Sequence, residues 1–288
     1  NGKADKWLKV TGNRRAAGRG NHFFAATVTP NHQFWSPSVN DYIRADKLEV
    51  GHLVSLARSE YDLTPIQKQI LVGKMLGDGS LAAHKFSGAL MYGHSQDMLP
   101  YLEWTERALG DISSGSRSDT TSGYGTPMVR THTTFTGTIK EFLSLNFFES
   151  TIEGKTITRA AMQYMTPLAI AFLYMDQGSL QHNEDQEDRA VFHLCAHPED
   201  RCAIFQEMLR LKYGIDSVYY TGTNGITDKA QSRTRLKAVD AEKLFLLISP
   251  FVPPCMQYKL PERYRGGPGW LPPDKAMSYK PRLVDQTV

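Results

Sequence analysis

Apolar residues recur at helical spacing in two long stretches of this chain, and each stretch is followed by segments with the alternation typical of strands. From residue 65 the pattern predicts a helix, two strands, a second helix, two more strands and a third helix. The predicted bounds are about 65–78, 80–86, 89–95, 98–109, 112–120, 127–136 and 138–148. The same order then returns, with a helix that begins at Thr166-Pro167 and later elements at about 180–186, 190–195, 198–213, 215–222, 231–238 and 239–249.

The two helices that open these units are near-copies of each other. Ile70–Leu81 and Ala169–Leu180 are both apolar, and both end in Gly-Ser-Leu. Asp78 and Gln177 hold the same place in the two copies, 99 positions apart. A repeat of this length is half a domain rather than a solenoid unit. We therefore predict a mixed α/β (α+β) fold built from a pseudo-twofold pair of αββαββα units.

Two glycines in the first copy indicate close packing. Gly73 and Gly77 are four apart and so lie on one face of the predicted helix. A glycine inside a helix costs about 1 kcal/mol relative to alanine, so two of them need a reason. The physical reason that we expect is the close approach of another backbone.

The segments outside the repeat differ from it in composition. Residues 1–58 are basic and carry predicted strands at 23–28, 33–35 and 53–56, with a turn at Pro30-Asn31. Residues 261–288 form a basic tail rich in Pro and Gly, a composition that does not build a core. We therefore divide the chain into residues 1–58, 59–160, 161–260 and 261–288.

Charge is unevenly distributed although the net value is only +3. Residues 1–58 carry nine Lys and Arg against four Asp and Glu, and residues 259–288 carry six against three. The 200 residues between them are net negative. Basic ends around an acidic centre suit a protein that grips a polyanion and collects divalent cations, although solvated tails would show the same charge.

Several broad classes of protein are disfavoured. There is no run of 18 apolar residues, and the basic N-terminus lacks the apolar region of a signal peptide, so we expect no membrane association. Cys195, Cys202 and Cys255 lack the short spacing of a zinc site and are expected to be free thiols in a reducing cytoplasm. Because the chain begins at Asn1, we expect a fragment, a processed product or a trimmed segment.

The doubled helix with its Gly-Ser-Leu exit resembles the LAGLIDADG homing endonucleases. The resemblance is strongest over residues 60–261 and implies that the two helices pack side by side in a monomer whose sheets form a saddle on double-stranded DNA. It also implies a long, nearly asymmetric target, dependence on Mg²⁺ and cleavage that leaves short 3′ overhangs. Mn²⁺ or Ca²⁺ could replace Mg²⁺ for binding.

In that family the last acids of the two helices hold the metal ions that cut DNA. Here Asp78 keeps the acid and Gln177 replaces it, while Gly77 and Asp176 are the matching neighbours and further candidate ligands. Two cations held by carboxylates can activate water, neutralise phosphate and stabilise the leaving oxygen, and Mg²⁺ needs only one or two carboxylates. A glutamine oxygen can bind Mg²⁺ but brings no charge, so cleavage is expected to be impaired or limited to one strand.

The resemblance also assigns a basic residue of each unit to the region of the scissile phosphates. The matching positions are Lys155 and Lys259, where we expect the lysines to hold water or developing charge. Polar side chains of the eight strands would read base edges in the major groove. The candidates for contacts with DNA are His84, Lys85, Arg117, Arg130, His132, Gln181, His182, Asn183, Arg189, Tyr220, Lys229, Gln231, Arg233 and Arg235, with Arg14, Arg15 and Arg19 in the N-terminal arm.

A second, weaker resemblance covers residues 23–56. Thr29 and His32, followed by the stretch Ile43–Gly51, look like the Thr-x-x-His block and the next strand of intein splicing domains. The residues that such a domain needs at its two ends are absent, since the chain starts with Asn1 and ends in Asp-Gln-Thr-Val. We interpret this region as a remnant of a splicing domain, in which Thr29 and His32 are structural.

Two functions of the main region remain open at this point. One is a site-specific DNA endonuclease that uses Mg²⁺. The other is a protein of the same fold that has lost cleavage and serves as a DNA-binding module or RNA maturase, which Gln177 favours and Asp78 disfavours.

Overall fold

The computed structural model describes residues 6–15, 21–36, 39, 41–52, 63–121, 125–183, 186–194, 197–223, 230–267 and 269–270. Its contacts divide the chain into two compact units, Asn1–Ser59 and Glu60–Val288. Among the described cysteines, Cys202 and Cys255 are not in disulfides, and Cys195 lies outside the described residues.

The first unit consists of two antiparallel hairpins. Strand β1, Leu8–Arg15, pairs with β2, Asn21–Val28, and β3, Gln33–Ser36, pairs with β4, Asp41–Arg44. The sequence did not indicate β1, because its many Gly, Asn and Arg residues mask the alternation.

The strand expected at 43–51 is wrong beyond its first two residues. The chain turns into a 3₁₀ helix at Ala45–Lys47, where Arg44 and Asp46 form a local ion pair at 2.7 Å. The predicted strand at 53–56 lies outside the described residues.

The second unit contains the repeat. Its first half consists of α1 Pro65–Leu76, β5 Ser80–Ala83, β6 Gly88–Ser95, α2 Leu99–Leu109, β7 Ser113–Thr121, β8 Pro127–Thr133 and α3 Gly137–Phe147. After the short helix α4, Arg159–Met162, its second half consists of α5 Pro167–Gln177, β9 Gly178–Asn183, β10 Gln186–Phe192, α6 Glu199–Tyr213, β11 Ser217–Thr223, β12 Ala230–Leu236 and α7 Ala238–Ile248. The predicted order of helices and strands is confirmed in both halves, whereas α4 and several short 3₁₀ helices were not expected.

The two halves also share a sheet topology. The strand order is β5-β6-β8-β7 in one sheet and β9-β10-β12-β11 in the other, and all neighbours are antiparallel. The identical order of elements and strands shows that the repeat is a duplication of the fold and not only of a motif.

Each motif helix begins at the Thr-Pro pair that the sequence indicated. The Thr64 hydroxyl accepts the Gln67 backbone N–H at 3.2 Å, and the Gln67 side chain accepts the Thr64 N–H at 3.0 Å, which completes a capping box. Thr166 caps α5 through the Ala169 N–H. Helix α1 ends at Leu76, two residues earlier than predicted, because the Gly79 N–H turns back to the Lys74 carbonyl at 2.8 Å.

Helices α1 and α5 pack directly against each other in the core. A Cβ atom placed on Gly73 would lie 2.5 Å from the Ala169 carbonyl oxygen and 2.7 Å from the Phe172 Cβ, so the expected close approach is confirmed there. At Gly77 the neighbour is the Asp176 side chain rather than a backbone. No helix of the described segments is long and apolar enough to cross a membrane.

Each sheet has one face on the helices and one open face. In β8, Val129, Thr131 and Thr133 are buried, whereas Arg130 is exposed and His132 is half-buried. In β12 the buried residues are Ser232, Thr234 and Leu236. The open faces therefore carry the residues between these positions.

Candidate active site

The ends of α1 and α5 bring Asp78 and Gln177 into contact. The Gln177 Nε2 donates a hydrogen bond to Asp78 Oδ1 across the pseudo-twofold junction. An amide that donates to a carboxylate replaces the repulsion that two carboxylates would have here. The side chains that the repeat pairs by sequence are thus paired in space.

Asp176 lies beside this pair but faces the interior. Its side chain is fully buried and accepts hydrogen bonds from Lys74 Nζ at 2.9 Å, Tyr101 OH at 2.8 Å and the Asp78 backbone N–H at 3.2 Å. Asp176 can approach the Asp78 backbone because the glycine at position 77 leaves room for its carboxylate.

Asp176 is also less available as a ligand than a free carboxylate. Lys74 has no exposed side-chain surface and forms a fully buried ion pair with it. Breaking such a pair leaves a buried charge without its partner, which is costly. The second motif has thus kept an acid one position earlier, where a lysine neutralises it.

The environment of Asp78 disfavours its charged form. Burial and the nearby Asp176 carboxylate raise the pKa of Asp78 to about 6. A cation bound to the carboxylate would oppose both effects, because it stabilises the charged form. The site is therefore electrostatically prepared for a positive ion.

His94 completes the site, and sequence reasoning missed it. Its Nδ1 is 3.7 Å from Asp78 Oδ2, and its Nε2 is 3.0 Å from Lys74 Nζ and 3.8 Å from Asp176 Oδ1. Burial and Lys74 lower the pKa of His94 to about 3, so the ring is neutral. The available signal was the repeat itself, since His94 and His193 are also 99 apart.

The donor set at this junction fits a hard divalent cation. One ligand atom each from Asp78, His94 and Asp176 lie within 4.8 Å of one another, and a half-turn of the Gln177 amide brings its oxygen to Asp78. Carboxylate and amide oxygens are the ligands that Mg²⁺ and Ca²⁺ take from proteins. Gly77 could add only a carbonyl oxygen, which already accepts from Lys155 Nζ at 2.9 Å.

The two predicted lysines lie beneath the ends of the motif helices. Lys155 Nζ donates to the carbonyls of Met75, Gly77 and Gly79 at 2.8–2.9 Å, and Lys259 Nζ donates to the Met175 carbonyl at 2.5 Å. Burial lowers the pKa of both lysines. All three Lys155 donors are occupied, so this residue closes the helix end and has no N–H left for water, contrary to our expectation.

On the first sheet, several predicted DNA contacts lie on the open face. Arg130 lines an open cavity together with Asp78 and His94. His84 and His132 pack on Phe135 with ring centroids 5.0 and 5.3 Å apart. Exposed Lys85 lies 5.1 Å from the centre of the Phe86 ring.

Arg117 is the exception, because it lies opposite Thr131 and is engaged by acids of α2. It donates to Glu103 at 2.9 Å and to buried Glu106 at 2.5 Å, both on α2. Thr131 also donates to Glu106, which identifies this as the helix-covered face of the sheet. A basic residue in a strand gave no indication of which face it occupies.

On the second sheet, the predicted contacts again lie largely on the open face. Exposed Arg235 lies over the Tyr220 ring at 5.3 Å, and Arg233 donates to Gln231 at 3.2 Å. His182 is paired with Asp188 at 2.7 Å, and that carboxylate also binds Arg263 at 2.8 Å.

The structure describes the side chains of two further candidates for contacts with DNA. Gln181 is exposed, and Arg189 is half-buried. Lys229 and Arg19, together with the side chains of Asn183, Arg14 and Arg15, lie outside the described residues.

Comparison with known proteins identifies relatives of two kinds. The sequence model of the LAGLIDADG DNA endonuclease family matches residues 68–226. A protein of Mycosarcoma maydis named probable intron-encoded DNA endonuclease 3 is 30% identical over 40% of this chain and 75% of its own length. Proteins named RecA from Mycobacterium gastri and Mycobacterium shimoidei are 26% and 28% identical over 92% of this chain. The chain spans only 63% and 62% of these two proteins.

A solved structure supports the fold. The homing endonuclease I-WcaI, solved bound to its DNA recognition sequence, matches 69% of this chain and 87% of its own with a TM-score of 0.57 at 20% identity. At this level of identity the likeness concerns the fold, and the chemistry must be argued from the residues of this chain.

Proposed function

Because this chain belongs to the LAGLIDADG DNA endonuclease family, we propose that its second unit binds a long double-stranded DNA target and hydrolyses phosphodiester bonds at the ends of α1 and α5. The observation that carries this proposal is the contact between Asp78 and Gln177. It brings one carboxylate and one amide together at the ends of the two packed helices α1 and α5.

Asp78 and the Gln177 amide oxygen are the residues that would hold a divalent cation, with Mg²⁺ as the natural ion and Mn²⁺ or Ca²⁺ as substitutes in binding. Such an ion would supply activated water and neutralise the phosphate. Asp78 contributes the charge, and Gln177 contributes orientation without charge.

Lys259 is the basic residue best placed to act on the phosphate. Among the described residues its ammonium group has one hydrogen-bond acceptor, the Met175 carbonyl. An ammonium has three donors, so two remain for a phosphate oxygen or for water. Lys155 lacks this capacity because three carbonyls already bind it.

The asymmetry of the acids implies unequal cleavage of the two strands. Asp176 is neutralised by Lys74 and Gln177 has no charge, so Asp78 is the acid left for metal binding at this junction. We expect the chain to cut one strand faster than the other, as a nicking enzyme. The same observation favours the second candidate, a DNA-binding protein of this fold that no longer cleaves.

The open faces of the two sheets are the proposed DNA surface, with Arg130, His132, Arg233 and Arg235 as its main polar contacts. Base edges in the major groove offer donors and acceptors that such side chains can read. Because both halves lie in one chain, we propose that the protein acts as a monomer, inside the cell wherever its target DNA is found.

We also propose that the chain is of the intein-associated type. The Thr29 and His32 block resembles a splicing domain, and relatives named RecA match 92% of the chain. The proposal is that these relatives share with it an inserted endonuclease element and that their name describes the host protein.

The experiment is selection of bound DNA from a random pool, followed by a strand-resolved cleavage assay with Mg²⁺. A nick at one defined position per target is the expected result. Selected binding without cleavage in Mg²⁺ or Mn²⁺ would support the DNA-binding candidate, and failure to select any sequence would contradict both.

A further inference from the structure

His94 and His193 occupy equivalent positions in the two units, yet their ring nitrogens have different partners. His94 lies in β6, and its Nε2 is 3.0 Å from Lys74 Nζ. His193 follows β10, and its Nε2 is 2.8 Å from the Ser179 hydroxyl. The repeat therefore supplies a natural comparison between two histidines beside the same junction.

The partner of His94 fixes its tautomer. The ammonium group of Lys74 has donors and no lone pair, so the nitrogen that it contacts must accept. His94 Nε2 consequently carries no hydrogen, and the hydrogen of the neutral ring is on Nδ1. That atom is the one that faces Asp78 Oδ2, at 3.7 Å.

Lys74 is itself held rigidly. Its side chain is fully buried, it forms an ion pair with Asp176 at 2.9 Å, and its Nζ lies 5.0 Å from the ring centres of Tyr92 and Tyr101. These contacts leave the ammonium little freedom to move from His94. The orientation of the imidazole is thus set from inside the core.

The geometry points to His94 as a positioning residue: Lys74 holds its Nδ1–H toward Asp78, at 3.7 Å from Oδ2. A movement of about 1 Å when a cation binds would bring this N–H within hydrogen-bond distance, where it orients the carboxylate. Outer partners of this kind fix the direction of a ligand's lone pairs and typically affect metal affinity 10- to 100-fold. On this view His94 is a donor to the ligand and not a ligand itself. The role in metal binding rests on the proposed function, whereas the tautomer does not.

His193 provides the matched control. A hydroxyl group can donate or accept, so Ser179 does not fix which nitrogen of His193 carries the hydrogen. The repeat equivalent of Lys74 is Leu173, which has no donor to offer. His193 therefore has no lysine that fixes its tautomer, as Lys74 does for His94.

The first test is spectroscopic and needs no metal. Nitrogen NMR of the imidazole rings in the full chain should show hydrogen on Nδ1 of His94 and none on Nε2. Lys74→Met should abolish that preference while leaving the His193 signals unchanged. Hydrogen found on Nε2 of His94 in the parent protein would overturn the inference whether or not the protein cleaves DNA.

The second test measures Ca²⁺ affinity by calorimetry, so that no cleavage interferes. His94→Leu should weaken binding about 10-fold or more, and His94→Asn should restore most of it, because its amide can donate from near the Nδ1 position. His193→Leu should bind like the parent. Thermal melts of each variant separate loss of binding from loss of folding.

Two outcomes of the second test would count against the inference. Equal Ca²⁺ affinity of His94→Leu and the parent would exclude the positioning role. Nitrogen coupling from His94 to bound Mn²⁺ in electron spin-echo spectra would show direct ligation instead. If the parent binds neither ion, the metal role falls with the proposed function, and the NMR result still decides the tautomer.

Discussion

The ends of the two motif helices share an apolar pattern and a Gly-Ser-Leu exit but differ in the charged residues that they carry. Helix α1 brings Asp78 to the junction and buries Lys74 behind it, whereas α5 brings Gln177 to the junction and buries Asp176. The second unit has not lost its acid, because the acid lies one position earlier, in contact with the lysine of the first unit. The two halves of this centre therefore differ because of a contact between the helices, the ion pair of Lys74 with Asp176.

The largest expected effect comes from restoring charge at the second position. Gln177→Glu should convert a nicking or silent protein into one that cuts both strands, because a carboxylate recruits the cation and offsets phosphate charge. Asp78→Asn should reduce any cleavage about 100-fold or more, with DNA affinity largely unchanged. Strand-resolved gels and binding titrations measure the two effects.

The control for this comparison is Asp176→Asn. If the chain as it stands cuts both strands efficiently and Asp176→Asn removes that activity, then Asp176 is the true second ligand. The division of roles between positions 176 and 177 would then be reversed.

The next effect concerns the packing that brings the two ends together. Gly73→Leu should lower the free energy of unfolding by about 1–3 kcal/mol, since the added atoms meet the Ala169 carbonyl and Phe172. Gly137→Ala is the control, because its new Cβ would lie 3.5 Å from the Phe86 carbonyl oxygen, an ordinary contact. Denaturant titration measures both, and equal stability of Gly73→Leu and the parent would contradict the close interface.

Replacement of Lys155 and of Lys259 should affect stability and cleavage to different extents. Lys155→Met leaves three carbonyls without their donor and should cost about 2 kcal/mol, whereas Lys259→Met affects one carbonyl and should cost about 1 kcal/mol. Cleavage should show the reverse order, with Lys259→Met the more damaging. Melting curves and cleavage rates of the same two proteins decide whether these roles are separated.

A smaller effect follows from the raised pKa of Asp78. The folded pKa of Asp78, about 6, lies above the unfolded value near 4. The folded chain therefore holds the proton of this carboxyl group more tightly than the unfolded chain does. The stability that results is fully present below pH 4 and is lost as pH rises from about 4 to 6. Without metal, Asp78→Asn should therefore be more stable than the parent at pH 7 by about 1 kcal/mol. We expect less than the full shift because a third of the side chain, 34%, is exposed.

The pH dependence provides the check. The stability difference between Asp78→Asn and the parent should disappear below pH 4, where Asp78 is protonated in both the folded and the unfolded chain. A constant difference from pH 3.5 to 7 would mean that the Asp78 charge is not the cause.

The smallest effect distinguishes the two faces of the first sheet. Arg130→Ala should make the plot of log binding constant against log salt concentration less steep by about 0.9, the value for one phosphate contact. Arg117→Ala should leave the slope unchanged and lower stability instead, because the buried Glu106 carboxylate loses the positive charge of its ion pair. Equal slopes for both variants would contradict the assignment of the open face.

The order of elements and the pairing of Asp78 with Gln177 could be predicted because both depend on local pattern and on a constant offset. The Thr-Pro pairs predicted where the motif helices begin, and the glycine at position 73 predicted the close approach of another backbone. The sequence could not show that Lys74 crosses to Asp176, because that contact joins residues 102 apart in the chain. The face of a strand was likewise hidden at Arg117, where polar residues occupy both faces.

The unlike contacts between α1 and α5 also constrain how the two halves can change. Gly73 lies against Phe172, its own repeat equivalent, and Gly77 lies against its equivalent Asp176. Two copies of the first half would leave a gap and two unpaired lysines, and two copies of the second would set phenylalanine against phenylalanine. Each half is therefore shaped to fit the other and not a second copy of itself, so a substitution on one helix must fit the residue that it meets on the other.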